Sequence, residues 1–309
     1  MKELSYLVIG AGGTGGSIAA FLGRAGKDVI LIARGAHGNA IRENGIRMIC
    51  PSGIWNTRVK AVEEDAYEGK ADVILVCVKG YSLESTYACI RRAAHEHTVV
   101  IPILNIYGTG ERMAKELPGI RVLNGCIYIA AAMEGPGVIR MSGDIFRIVY
   151  GSLDGSVSDP VLLQVKKDLA ESGITPIYTE QVRRDTFQKY AFVSPMAAAG
   201  AYYDAAAGDM KREGRVRELF IACVREIDAL AQAMGIPFPV DIVEEDLKIM
   251  DGLTDDCTAS MQKDMKKGGA SEADGLLREV VRMGERFGVP TPNYRMVVDK
   301  VCGGMDGAC

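Results

Sequence analysis

Residues 5–15 read SYLVIGAGGTG, and the order of those residues decides the fold. SYLVIG (5–10) is a short apolar run without alternation, the pattern of a strand covered on both faces. It leads straight into Gly10, Gly12 and Gly15 at G-x-G-x-x-G spacing, then into Ile18, Phe21 and Leu22 at helical spacing, with Gly26 as a stop. Strand, glycine turn and helix in that order open a dinucleotide-binding βαβ unit. Gly10 permits the tight turn, Gly12 lets the backbone approach a pyrophosphate, and Gly15 lets helix and strand pack closely. The helix N-terminus favours the negative charge. Gly10, Ala11, Gly12, Gly13, Thr14 and Gly15 are therefore the expected pyrophosphate cradle; the alternative is a purely structural turn.

Working outward, DVILIA (28–33), ADVILVCV (71–78) and HTVVIPILN (97–105) repeat the buried-strand pattern, with a helix expected over 81–95. This rhythm predicts a doubly wound α/β sheet. Further strands are expected near 121–132, 137–150 and 174–178. Beyond about residue 180 helical patterns take over, at roughly 182–205, 212–234, 238–250, 255–267, 272–287 and 292–303, joined by GIPFP (235–239) and GVPTP (288–292). The expected fold class is thus α/β: a Rossmann-type doubly wound sheet over residues 1–180 and an all-helical C-terminal domain over 181–309.

Composition narrows the function. The 309 residues are 48% hydrophobic and 25% charged, with a net charge of −4, which gives no broad attraction for nucleic acid or an anionic membrane. A small-molecule protein is expected. None of the eight cysteines falls in a C-x-x-C pair, which argues against a zinc site and a disulfide framework and suits a reducing compartment. No signal-peptide order and no apolar run near ~20 residues is present, so a cytoplasmic location is expected.

The end of the second strand selects the dinucleotide. Enzymes that prefer NAD usually place a carboxylate there for the ribose hydroxyls. Here LIARG (31–35) places Arg34, and no acidic residue follows until Glu43. A guanidinium pairs with a 2′-phosphate, so NADP (as NADPH) is the expected cofactor, against the alternative of a solvated arginine. Lys79 follows VILVCV and Asn105 closes TVVIPIL, both at carboxyl ends of strands, where doubly wound sheets bind ligands. Each could equally be a solvated turn residue.

Reducing a carbonyl requires a proton donor, yet His37, His95 and His97 are the only histidines and none has a catalytic partner in the pattern. Lys189, in RRDTFQKYAFVSPMAAAGAYY (183–203), borders a small-residue apolar stretch, and partial desolvation there favours release of a proton. The blander alternative is a surface lysine paired with Asp185. Farther on, CTASMQKDMKKGGASEADGLLREV (257–280) puts Ser260 and Asp264 one turn apart. Ser271 then sits as an N-cap, at capping-box spacing from Asp274, with Glu272 in the first turn. Glu272 could simply complement the helix dipole.

Together the glycine turn, Arg34, Lys79, the ILNIYG turn (103–108), Lys189 and the Ser260–Glu272 stretch resemble the ketopantoate reductase (2-dehydropantoate 2-reductase) family over nearly the whole chain. That resemblance implies an enzyme reducing a 2-oxo acid with NADPH, in the first instance ketopantoate to pantoate in pantothenate biosynthesis. It implies Lys189 as general acid, and Glu272 as the carboxylate supporting the reacting oxygen and the cofactor. Ser260 would contact the substrate carboxylate, and Lys79 and Asn105 would be shared by cofactor and substrate. It also implies catalysis in a cleft between the domains and a monomer or homodimer. Val193, Ala197 and Cys257 stand where the family commonly has asparagines, and Leu104 where glutamine is frequent. These departures keep open a different 2-oxo acid or an opine-type dehydrogenase. A NADP-sensing binding protein is the reading from another class. No metal is implied.

Overall fold

The structure is a computed structural model that describes residues 3–306. In chain order the strands are β1 (Ser5–Ile9), β2 (Asp28–Ile32), β3 (Ile46–Cys50), β4 (Gly53–Thr57), β5 (Lys60–Val62), β6 (Val73–Val76), β7 (Val99–Pro102), β8 (Arg121–Val122), β9 (Asn124–Gly135), β10 (Val138–Gly151) and β11 (Thr175–Tyr178). The helices are α1 (Gly13–Arg24), α2 (Gly35–Asn44), α3 (Tyr87–Ala93), α4 (Thr109–Glu116), α5 (Pro160–Glu171), α6 (Val182–Tyr203), α7 (Ala207–Lys211), α8 (Arg215–Ala233), α9 (Ile242–Asp251), α10 (Ser260–Lys266), α11 (Glu279–Phe287) and α12 (Pro292–Cys302). Two compact units result: Met1–Leu104 with Gly108–Val182, and Asn105–Tyr107 with Arg183–Cys309.

The first unit is built on a six-stranded, wholly parallel sheet of order β5-β2-β1-β6-β7-β8. Taken in chain order these strands run 3-2-1-4-5-6, so the winding direction reverses between β1 and β6, the switch point at which such sheets bind ligands. The continuous apolar runs are explained by cover on both faces. From β1, Tyr6 and Val8 enter one core while Leu7 and Ile9 enter another; β6 divides Val73 and Leu75 from Ile74 and Val76 in the same way. Each such aliphatic side chain contributes about 1.5–3 kcal/mol on burial. At the amino end of β1, buried Asp168 accepts hydrogen bonds from the Tyr6 hydroxyl (2.7 Å), Lys27 (2.8 Å) and Gln164 (2.9 Å), tying α5 to the sheet.

The strands expected near 121–132 and 137–150 do not extend this sheet. Apart from the short β8 they form a hairpin, β9–β10, in a second sheet of order β11-β10-β3-β4. Burial along β10 is uneven: residues 142–145 are all exposed, whereas Ile148–Gly151 are all buried. The helix expected over 81–95 shrinks to α3, preceded by two 3-10 turns. There the Ser85 and Thr86 hydroxyls bond to carbonyls three residues back, which suits the tighter turn.

The second unit is helical around one core, to which Phe187, Phe220, Ile227, Leu277 and Val297 belong. Glu226 of α8 closes the amino end of α12, accepting from the backbone N–H of Asn293 (2.7 Å) and Tyr294 (3.1 Å). Among the described residues six cysteines are free thiols, and Cys302 is disulfide-bonded. Among the described residues no helix is long and apolar enough to cross a membrane, and no cluster suits a metal.

One buried group in this unit leaves a signature in stability. Asp246 on α9 is 1% exposed, and its Oδ2 has no hydrogen-bond partner. Burial, with a smaller contribution from Glu245, pushes its carboxyl up to about 8. The native state therefore keeps a proton that the unfolded chain releases near pH 4, and stability falls as pH rises from about 4 to about 8. Asp246→Asn is expected to flatten that slope, raising the denaturation midpoint at pH 8 more than at pH 5. Equal midpoint changes at both pH values would contradict the assignment.

Candidate active site

The glycine turn uses each of its small residues differently. Gly10 has φ +103°, and a Cβ there would stand 2.9 Å from the Cys77 carbonyl oxygen, so the turn lies directly against the end of β6. A Cβ on Gly15 would run into the Gly10 carbonyl and meet Cys77 at 2.9 Å, which explains the close approach of α1 to the strands. A Cβ on Gly13 would collide with the Ala131 carbonyl of β9. Gly13 thus makes room for the hairpin of the second sheet, a role separate from any ligand. Gly12 alone faces open space and is exposed. It is the N-cap of α1, whose first turn carries no acidic side chain, so the free amides present uncompensated positive potential. Ala11 and Thr14 flank it, both half-buried.

Arg34 is exposed at the carboxyl end of β2, the N-cap of α2, whose first turn also lacks acidic residues. Lys79 follows β6 on the same edge, half-buried, where it opens a 3-10 turn. An open glycine, two acid-free helix starts and these two cations make a donor set suited to a phosphate-rich dinucleotide.

His37, which the sequence reading left without a role, braces this turn. Its Nδ1 accepts from the Gly137 N–H (3.0 Å), which leaves Nε2 protonated to donate to the Ala11 carbonyl (2.8 Å). The ring thereby links the glycine turn to the β9–β10 turn. Its partners lie 26 and 100 residues away, so spacing in the sequence carries no signal of the contact.

In the second unit Lys189 is no surface lysine. It is 8% exposed and donates from Nζ to Asn105 Oδ1 at 2.6 Å, while Asp185 pairs with Arg184. Asn105 begins the three-residue segment that follows β7 and belongs to this unit. Tyr107 of the same segment packs on Phe187 with ring centroids 4.5 Å apart, which anchors it beside α6. Glu272 is 4% exposed, too deep for a group that merely complements a helix dipole from solvent. Ser271 Oγ accepts from the Ala273 N–H (3.3 Å), and Asp274 accepts from Arg282 (2.9 Å).

Ser260 is exposed at the first position of α10. Two residues on, Gln262 fills the space left by Gly200, so Ser260 belongs to the far end of α6 whereas Lys189 lies in its first half. On α6, Val193 and Ala197 follow Lys189 at one-turn intervals and are half-buried and buried, with Cys257 half-buried. The structure thus joins Lys189 and Asn105 directly and sets Glu272 on a neighbouring helix start. It shows no direct link from Ser260 to either.

The family described as Ketopantoate reductase PanE/ApbA matches residues 6–155, and Ketopantoate reductase PanE/ApbA C terminal matches residues 181–303. The chain belongs to the ketopantoate reductase family. It is accordingly an oxidoreductase of a nicotinamide-dinucleotide-dependent family. It is 25% identical to a 2-dehydropantoate 2-reductase of Aquifex aeolicus, over 96% of each chain. The crystal structure of 2-dehydropantoate 2-reductase from Methylococcus capsulatus matches with a TM-score of 0.84 at 26% identity, covering 95% of this chain and 94% of that one. D-mandelate dehydrogenase with NADH and anilino(oxo)acetate matches with a TM-score of 0.87 at 22% identity, covering 96% and 97%, and at that identity shares the fold.

The glycine geometry separates two substitutions in this ketopantoate reductase family member. Gly13→Ala is expected to destabilise the protein by about 1–3 kcal/mol, because backbone must move to admit the methyl group. Gly12→Ala is expected to leave the melting temperature within about 1 °C of the parent. Equal melting temperatures for the two variants would contradict the packing role of Gly13.

Proposed function

We propose that this protein reduces a 2-oxo acid to the 2-hydroxy acid with NADPH, and that its substrate is 2-dehydropantoate, giving pantoate. The observation that carries the reading is the buried Lys189–Asn105 pair, 2.6 Å apart on the scaffold of a reductase family. The amides around Gly10–Gly15 hold the pyrophosphate, Arg34 takes the 2′-phosphate, and Lys79 takes a further phosphate or ribose oxygen. When bound, the dinucleotide supplies a hydride. Ser260 holds the carboxylate of the oxo acid. Asn105 Oδ1 accepts from Lys189 Nζ and so orients the ammonium for the ketone oxygen. Lys189 then holds the developing alkoxide as an ammonium and releases a proton from Nζ to it. Glu272 supports the reacting oxygen and the cofactor. A positioned general acid of this kind contributes about 10²–10⁴-fold in rate.

A second reading is favoured by the apolar Val193 and Ala197 on α6 and by the likeness to D-mandelate dehydrogenase: reduction of a 2-oxo acid with an apolar or aromatic side chain. A site without hydroxyl-binding groups discriminates weakly against such acids.

NADPH oxidation at 340 nm with ketopantoate, phenylglyoxylate and simple branched 2-oxo acids, with and without amines, separates these readings. Ketopantoate is expected to turn over fastest. Preference for phenylglyoxylate would select the second reading, and no turnover of any oxo acid would remove both. Lys189→Ala is expected to cut turnover at least about 100-fold with NADPH affinity nearly unchanged. Wild-type turnover in that variant would remove Lys189 from the mechanism. Arg34→Ala is expected to raise KM for NADPH about 10–100-fold, the loss of a charge-assisted contact, and to leave KM for NADH unchanged. A parallel rise for both cofactors would take the 2′-phosphate away from Arg34.

A further inference from the structure

The helix that carries Glu272 does not start in regular α register. Asp274–Arg278 form a π turn, in which the Glu279 N–H reaches back five residues to the Asp274 carbonyl. Such turns are uncommon and concentrate at functional sites, because one inserted residue rotates everything before it by about 100° around the helix axis. Glu272 lies just before the insertion, and its carbonyl accepts from the Leu276 N–H (2.9 Å), so its facing depends on the turn surviving.

Two side chains hold the turn directly, and a third backs one of them. The Tyr190 hydroxyl donates to the Gly275 carbonyl (2.8 Å), with a longer contact to that of Leu276 (3.3 Å). The Ser194 hydroxyl donates to the Leu276 carbonyl (2.6 Å). With its hydrogen committed, Ser194 Oγ accepts from the Tyr294 hydroxyl, 2.6 Å away. All three side chains are at most 1% exposed. Burial pushes both tyrosine hydroxyls far above their usual range, so they stay protonated donors. On the other side, a Cβ at Gly275 would collide with Ile106, so the turn is seated on the residue after Asn105. Tyr190 adjoins Lys189 in sequence, and Ile106 adjoins the residue that Lys189 bonds.

We propose that Tyr190, Ser194 and Tyr294 are positioning residues: their hydroxyls latch the π turn to α6 and thereby set Glu272 relative to Lys189. This rests on the roles given to Lys189 and Glu272 above. The latch places two buried hydroxyls on the carbonyls of one irregular turn, and a third, from Tyr294, on Ser194 Oγ behind them.

The test compares Tyr190→Phe, Ser194→Ala and Ser194→Thr with the parent. Hydrogen exchange of the 272–279 amides is followed without substrate, and kcat and KM are measured with NADPH and either ketopantoate or phenylglyoxylate. In Tyr190→Phe and Ser194→Ala, exchange in the turn is expected to speed at least tenfold while the rest of α11 changes less than threefold. Their kcat is expected to fall at least tenfold with KM for NADPH changed less than threefold, and Ser194→Thr, which keeps a hydroxyl, to recover most of the loss. Unchanged exchange overturns the latch, and faster exchange with kcat within twofold of the parent overturns its role in positioning. If Ser194→Ala does not fold, Tyr190→Phe, which removes one oxygen atom, carries the same comparison. Lys189→Ala and Glu272→Gln run alongside. Full turnover in those variants defeats the site assignment itself, whereas their inactivity beside fully active latch variants defeats only the latch.

Discussion

The first unit depends on close contact between backbones at one turn. Between Gly10 and Gly15 the chain must reverse against the end of β6, start α1, and leave room for β9, and three different backbone or side-chain neighbours occupy the space where a Cβ would go. A methyl group at Gly13 or Gly15 would push apart the elements that meet there. The same constraint leaves Gly12 facing open space at a helix start with no acidic side chain. Close packing on three sides thus makes the fourth side accessible, with the amide dipoles directed there. His37 adds a polar tie where no further side-chain packing is available, joining the turn to Gly137.

The second unit is organised around α6. Its first half presents Lys189 to Asn105, while Tyr190 and Ser194 reach the carbonyls of the π turn. Its second half, AAAG (197–200), is small enough for Gln262 to pack against it and for that side chain to satisfy the Ala259 N–H and the Ala205 carbonyl. Pro195 within α6 removes one backbone donor at the junction of these halves. One helix therefore combines a polar, hydrogen-bonding stretch with a purely steric one, and the chemistry-bearing residues fall on the polar part.

Strands β1, β2, β6 and β7 were legible because a strand buried on both faces reads as an unbroken β-branched run. The helices after residue 180, apart from the short α7, were legible from their 3.6-residue pattern. β3, β4 and the helices α2, α4 and α5 were not foreseen. GIWNT (53–57) and GAHGNAIREN (35–44) are half-exposed and polar, so neither period stands out. The β9–β10 hairpin was seen as strands but not as a separate sheet, since pairing partners cannot be read from local pattern. Within the candidate site, Lys189 stood out from its setting and Glu272 from the family resemblance, whereas Tyr190 and Ser194 did not stand out: a tyrosine and a serine on an apolar helix acquire meaning only from carbonyls more than 80 residues away.

The sequence by itself determined the parallel sheet, the glycine turn with its spacing, the arginine at the end of β2, and the change from mixed to helical architecture. Each follows from local sterics or from a short-range period, which a chain carries wherever it folds. Only the tertiary structure decided that Gly13 serves the hairpin, that Lys189 is buried against Asn105, and that the helix bearing Glu272 opens with a π turn held by hydroxyls. These depend on which surfaces meet, and that is set by packing between residues distant in sequence, where one atom of excess or one unpaired carbonyl changes the outcome.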